Sequence, residues 1–259
     1  MAPRPHIQVS IDRHIASVVL NRPPVNALNR ELVTSLTSLA RELRLDPSVW
    51  LISVTSATSV FSAGADLKER VTIPASKIAG VVHRIQQMVR TWFALPQPVV
   101  AGLDGAALGG GLEFALAADL LVASENATLG FPETGLGIIP AAGGTQLLAH
   151  RTNMGIARKW ILSARTFTAG EALTDGVVDF VLPSSGFNEE YHRILGKIAA
   201  KAPLALRQAK KAIRATTLPM LNKGFTIESA CYAPLVRTED RAEALRAFAE
   251  KRLPVFRGK

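Results

Sequence analysis

Three consecutive glycines, Gly109–Gly111, stand inside the apolar run "AALGGGLEFALAADLLVAS" (106–124), and a carboxylate, Glu113, follows them closely. No other stretch constrains the fold as much. Each glycine loses more backbone freedom on folding than another residue would. A glutamate among Leu112, Phe114, Ala115 and Leu116 risks having its charge desolvated. The two costs make sense together if backbone must approach a ligand closely while a carboxyl reaches into the same spot. The preceding "QPVVAGLDG" reads as a buried strand, and a helix is expected from near Gly110. The glycines therefore occupy a strand-to-helix junction.

Strand-to-helix junctions recur along the chain. "IQVSID" and "IASVVLN" read as two strands turning near Arg13–His14. Leu32, Val33, Leu36, Leu39, Ala40 and Leu43 fall at helical spacing, and Asp46–Pro47 stops that helix. "WLISVTSA" is a buried strand, left through the glycine-containing loop "FSAGADLKER". A second helix carries Ile78, Val81, Val82, Ile85, Val89 and Trp92 on one stripe, and "ADLLVASENATLGFPE" supplies a short strand pair. Beyond "GLGIIPAAGGTQ" the pattern is helical apart from a strand-like "DFVLP" at 179–183. Thr238 is placed to cap a last helix with Leu245 and Phe248 on its inner face. The class is α/β with a mostly helical C-terminal third. The pattern alone leaves the topology open.

Composition narrows the function. Of 259 residues, 48% are apolar and 20% charged, as in an ordinary globular protein with a substantial core. A single cysteine, Cys231, excludes an internal disulfide framework and suits a reducing compartment. No CxxC, HExxH or clustered Cys/His spacing is present, so no metal site is expected. The net charge of +9 is dispersed, densest in "RQAKKAIR" and "EKRLPVFRGK". It fits either a solvated basic surface or a polyanionic ligand. No transmembrane helix is expected. The N-terminus enters strand-like sequence almost at once, without a leader pattern, which leaves the cytoplasm or the mitochondrial matrix as the expected compartments.

Two motifs are decoys. "GLGIIP" (135–140) starts like a dinucleotide loop but has Pro140 where the third glycine belongs, and neither GxxxxGK[ST] nor GxSxG occurs. Two junctions remain, "SAGADLK" (62–68) and "LGGGLE" (108–113). Unpaired N–H groups, one from each, would form an oxyanion hole for an acyl thioester; equally, both could be plain tight turns. Glu113, one turn into its helix, and Glu133, after Pro132, could act as an acid/base pair across a double bond. Alternatively, Glu113 is a first-turn glutamate favoured by the helix dipole and Glu133 is solvated.

"FSAGADLKER", "GLDGAALGGGLEFALAADL", "GFPETGLGIIPAAGGTQLL" and "CYAPLVRTEDRAEALRAFAEKR" closely resemble the enoyl-CoA hydratase/isomerase (crotonase) superfamily, from about residue 7 to the C-terminus. The branch most resembled holds methylglutaconyl-CoA hydratase and the enoyl-CoA hydratase domain-containing proteins. The resemblance implies a crotonase-type spiral of ββα repeats with the acyl-CoA site in residues 1–195. Residues 196–259 would be a helical region for trimerisation, commonly paired into a hexamer, and for closing the CoA site. It implies an oxyanion hole from the N–H groups of Ala65 and Gly110, beside Gly109. It further implies syn addition of water to a 2-enoyl-CoA, with Glu113 activating the water and Glu133 exchanging the α-carbon proton. Ala63, Asp66 and Leu67 match the loop that accommodates the CoA adenine, and Phe248 and Lys251 match residues that touch the CoA of a neighbouring subunit. No cofactor is implied beyond the CoA of the substrate.

One departure stands out. The family commonly has glycine after the proline of "IPG", where this chain has Ala141, so the backbone there must avoid positive φ. Isomerisation of a 3-enoyl-CoA, mainly through Glu133, is the nearest alternative. A methylglutaconyl group would need a distal cation, for which Arg70, His83, Arg84 and Arg90 are candidates, whereas Met88 and Trp92 would line an apolar tail pocket or belong to the core. The branch includes an RNA binder with a lysine-rich first helix. Here "NRELVTSLTSLARELRLD" has three arginines, no lysine and three acids, so specific RNA binding is not expected.

Overall fold

The computed structural model describes residues 4–215 and 217–259. The first three residues of the N-terminus read above lie outside them. The larger of two sheets contains β1 (Ile7–Asp12), β2 (Ile15–Leu20), β3 (Leu51–Ser56), β5 (Val99–Leu103), β7 (Leu120–Ser124) and β10 (Phe180–Leu182), in the order β1-β2-β3-β5-β7-β10. The smaller contains β4 (Val60–Ser62), β6 (Ala106–Leu108), β8 (Thr128–Gly130) and β9 (Thr166–Thr168), in that order. β1–β2 and β8–β9 pair antiparallel; every other pairing is parallel. The chain thus places β3, β5 and β7 in the large sheet and, after each, β4, β6 and β8 in the small one. This is the spiral expected from the resemblance.

The apolar runs of the large sheet follow from burial on both faces. Ile52, Val54, Val99, Ala101, Leu121 and Ala123 enter the main core with α1 (Arg30–Leu45) and α3 (Ala75–Phe93). Their alternates Leu51, Val100 and Val122 pack beneath Phe187, Tyr191 and Leu195 of α8 (Phe187–Ala199). α1 buries all six of its apolar positions read from the sequence; Asn29 caps it, its side chain accepting from the Leu32 N–H.

Short helices fill the turns of the spiral: α2 (Leu67–Val71), α4 (Gly110–Ala115), α5 (Gly144–Arg151), α6 (Met154–Ser163) and α7 (Ala169–Thr174). A 3-10 helix, Pro132–Leu136, follows β8. The C-terminal third contains α9 (Pro203–Ala215), α10 (Leu218–Tyr232) and α11 (Glu239–Ala249). Buried Lys210 and half-buried Arg214 of α9 both bond Asp119 at the head of β7, at 2.6 and 2.8 Å, tying this region to the sheet.

Two details correct the sequence reading. β4, β6 and β9 are strands where loop, turn and helix were expected. Thr238 does cap α11, but its inner face is made by Ala244 and Ala247, while Phe248 is 58% exposed. The small alanines let the helix lie close, which turns the larger ring outward.

Candidate active site

Since β4, β6 and β8 are adjacent and parallel, the segments that follow them leave the small sheet at one end. These are Ala63–Asp66, the glycine triplet, and Pro132–Glu133. Each glycine of the triplet meets a different neighbour. Gly109 has φ 52°, and a Cβ there would lie 2.7 Å from Glu133 Oε1. At Gly110 a Cβ would press on Leu28 at 3.3 Å, and at Gly111 it would collide with Ser62. The triplet is what lets the three loops close on one another. Gly110 N–H, at the first position of α4, and Ala65 N–H bond to no other group among the described residues.

Together these loops wall a cleft with about 590 Å³ of empty space, its open mouth included. Ala63, Ala65, Leu67, Gly109, Gly110, Glu113, Glu133 and Ala141 all line it, so eight residues chosen from the sequence meet at one place. Asp66 does not line it: its carboxylate caps α2 through the Glu69 N–H and pairs with Arg22 at 2.8 Å. Phe248 and Lys251 lie outside the cleft of their own chain. Of the four candidate cations, Arg70 alone lines the cleft; His83 and Arg84 are exposed, and Arg90 bonds Asn222. Met88 and Trp92 are core residues.

The two carboxyls have unlike surroundings. Glu113 Oε1 accepts from the N–H groups of Ala142 at 2.7 Å and Gly144 at 2.8 Å. Burial pushes its pKa up to about 7, with those N–H bonds and the charge of Arg70 holding it from going higher. Glu133 is raised well above the carboxylate range, first by burial, then by the charge of Glu113 and after it that of Glu228. Its Oε2 is buried without a hydrogen-bond partner among the described residues. Side by side stand a carboxyl ionisable near neutrality and one on which burial and two neighbouring acids hold the proton more tightly than usual.

Ala141 leaves the turn intact. It is absent from the positive-φ positions; the left-handed residue of the run is Gly143, at φ 118°. Sequence reasoning missed Glu228, a third buried carboxyl, on α10 behind this turn. It also missed Tyr232 and Arg241. Tyr232 lines both the cleft and a smaller recess opening beside it, where Arg70 and Arg241 stand among Leu67, Leu136, Ile138 and Leu245.

Residues 10–259 match the enoyl-CoA hydratase/isomerase family, and the chain belongs to it. Among its relatives is the mouse mitochondrial methylglutaconyl-CoA hydratase, 39% identical over 90% of this chain and 76% of the relative. The mouse mitochondrial enoyl-CoA hydratase domain-containing protein 2 is 38% identical over 98% of this chain and 90% of its own. The crystal structure of an enoyl-CoA hydratase from Mycobacterium avium subsp. paratuberculosis superposes with a TM-score of 0.89 at 30% identity, covering 98% of this chain and 100% of the other. The fold is the crotonase fold.

Proposed function

We propose that this protein hydrates 2-enoyl-CoA thioesters. One observation carries the reading: an N–H-held carboxyl near neutrality and a second carboxyl raised by burial face the same cleft as two unbonded N–H groups. The thioester oxygen sits on the N–H groups of Ala65 and Gly110. Glu113, ionised, takes a proton from water as the oxygen bonds to C3. Charge accumulating on the thioester oxygen is stabilised by the two donors, and Glu133 delivers its proton to C2. Passage of the proton from Glu113 to Glu133 restores the starting state. No cofactor is needed beyond the CoA of the substrate.

Glu113 favours hydration over simple double-bond migration, because one carboxyl suffices for an allylic proton shift. The exposed apolar residues Ile213, Met220, Phe248 and Leu253 support a trimer or hexamer in which Phe248 and Lys251 reach a neighbour's CoA. A second reading concerns the acyl group. Arg70 and Arg241 share the recess, and neither has a carboxylate partner among the described residues. Two guanidiniums outside any salt bridge, one donating to the Tyr232 hydroxyl and one to the Val236 carbonyl, suit an acyl chain ending in a carboxylate. Purified protein assayed with crotonyl-CoA and with methylglutaconyl-CoA tests both readings. Loss of the enoyl absorbance with either supports hydration, and a preference for the latter that disappears in Arg70→Met supports the anionic chain. No loss with either refutes the function.

A further inference from the structure

Glu228 lies on α10, 2% exposed, and its carboxyl is turned toward the start of α5 rather than toward solvent. Its Oε1 accepts from the Gly143 N–H at 2.7 Å, and its Oε2 accepts from the Thr145 N–H at 3.1 Å and from the Thr145 hydroxyl. Glu113 takes the alternate donors of the same segment, the N–H groups of Ala142 and Gly144. Four successive N–H groups are thus shared between two acids, odd positions to Glu228 behind the turn and even positions to Glu113 in front. On the same side, Gln86 of α3 donates to the Phe225 carbonyl and to Ser229 of α10 at 3.1 and 3.0 Å, and reaches the Ala141 carbonyl at 3.4 Å. Gly224 gives α10 its closeness here, since a Cβ there would overlap the Gln146 side chain.

We propose that Glu228 is a positioning residue for the hydration: it fixes the turn whose N–H groups aim Glu113 at the water. The inference rests on the function proposed above. A buried carboxyl is an expensive anchor, and burial together with the charge of Glu113 raises Glu228 to about 8. A neutral amide would avoid that cost but cannot replace it. Glutamine has one accepting oxygen, so one of Gly143 and Thr145 would face an NH2 group, and the turn would have to shift. The oxyanion N–H groups lie on other loops, so thioester binding does not depend on Glu228.

The test compares wild type, Glu228→Gln and Thr145→Val. Turnover of crotonyl-CoA, dissociation constants for butyryl-CoA and deuterium exchange at the amides of residues 141–145 are measured on each. Glu228→Gln should lower kcat by about 10- to 100-fold, as small misplacements of a reacting group do, change butyryl-CoA affinity less than about threefold, and speed exchange across the turn. Thr145→Val removes one bond and keeps the backbone donors, so it should show the same pattern more weakly; it carries the test if Glu228→Gln does not fold. Unchanged turnover in folded variants would overturn the inference, as would a loss of turnover without faster exchange, or equal losses of binding and turnover. Should wild type fail to hydrate any enoyl-CoA, the proposed function falls. The inference then stands or falls on the exchange data, where unchanged rates refute the anchor itself.

Discussion

Replacing Glu113 by glutamine should stabilise the protein at alkaline pH while destroying its activity. Both bonds that hold Glu113, from Ala142 and Gly144, end on one oxygen. A glutamine carbonyl can accept both, leaving its NH2 toward the cleft. What the substitution removes is a carboxyl raised from 4.5 to about 7, first by burial. Below pH 4.5 the carboxyl is protonated in both folded and unfolded chains and costs nothing. As pH rises from 4.5 to 7 the unfolded chain ionises first, so wild-type stability falls. Above 7 both states are ionised and the loss is complete, at about 3 kcal/mol. Glu133 and Glu228 are present in both proteins, and losing the Glu113 charge lets each ionise more readily in the variant, which adds to its gain at alkaline pH. Thermal unfolding at pH 4.5 and pH 8 measures it. The two proteins should unfold at similar temperatures at the lower pH, and the variant should gain roughly 6–12 °C over wild type at the higher, the usual shift for such an energy in a chain of this size. Parallel pH dependence in the two proteins would mean that Glu113 is not desolvated, and the case for a base poised near neutrality would fail.

Further predictions follow from the loops. Gly110→Pro removes an oxyanion donor and should lower turnover by about two to three orders of magnitude in protein whose circular dichroism matches wild type; a folded, fully active variant would free Gly110 from the mechanism. Gly109→Ala, with its Cβ placed 2.7 Å from Glu133 Oε1 at a left-handed φ, should cut kcat more than it alters acyl-CoA binding. The pH profile of kcat/KM should fall as pH drops through about 7, where Glu113 gains a proton; a profile flat across neutrality contradicts the assignment. Lys251→Glu should raise KM more than it lowers kcat, with an effect that shrinks at high salt.

Long periodic stretches were legible in the sequence, and so were eight of the residues that line the candidate cleft. The stripes of α1 and α3 name their own buried faces, and the glycine triplet with Glu113 marks its junction without any structure. What stayed hidden has physical causes. β4, β6 and β9 are three residues each, too short for alternation to register, yet β4 and β6 set the loops side by side. Phe248 was read as an inner residue because it is large and apolar, whereas close packing selected its small neighbours Ala244 and Ala247. Glu228 sits in "FTIESACY", where a glutamate reads as an ordinary solvated helix residue; only the packing of α10 on α5 buries it. Arg241 and Arg70 are far apart in sequence, and the recess they share exists only once α11 folds against α2 and the 3-10 helix.

The most direct test of the two-carboxyl account is the product formed from crotonyl-CoA in water enriched in oxygen-18 and deuterium. Wild type should give 3-hydroxybutyryl-CoA with one oxygen-18 at C3 and one deuterium at C2, the thioester remaining intact. Glu113→Gln and Glu133→Gln should each abolish that product in proteins that still bind butyryl-CoA. Labelled free acid with released CoA, deuterium at carbon without oxygen-18, or near wild-type hydration by Glu113→Gln would contradict the account.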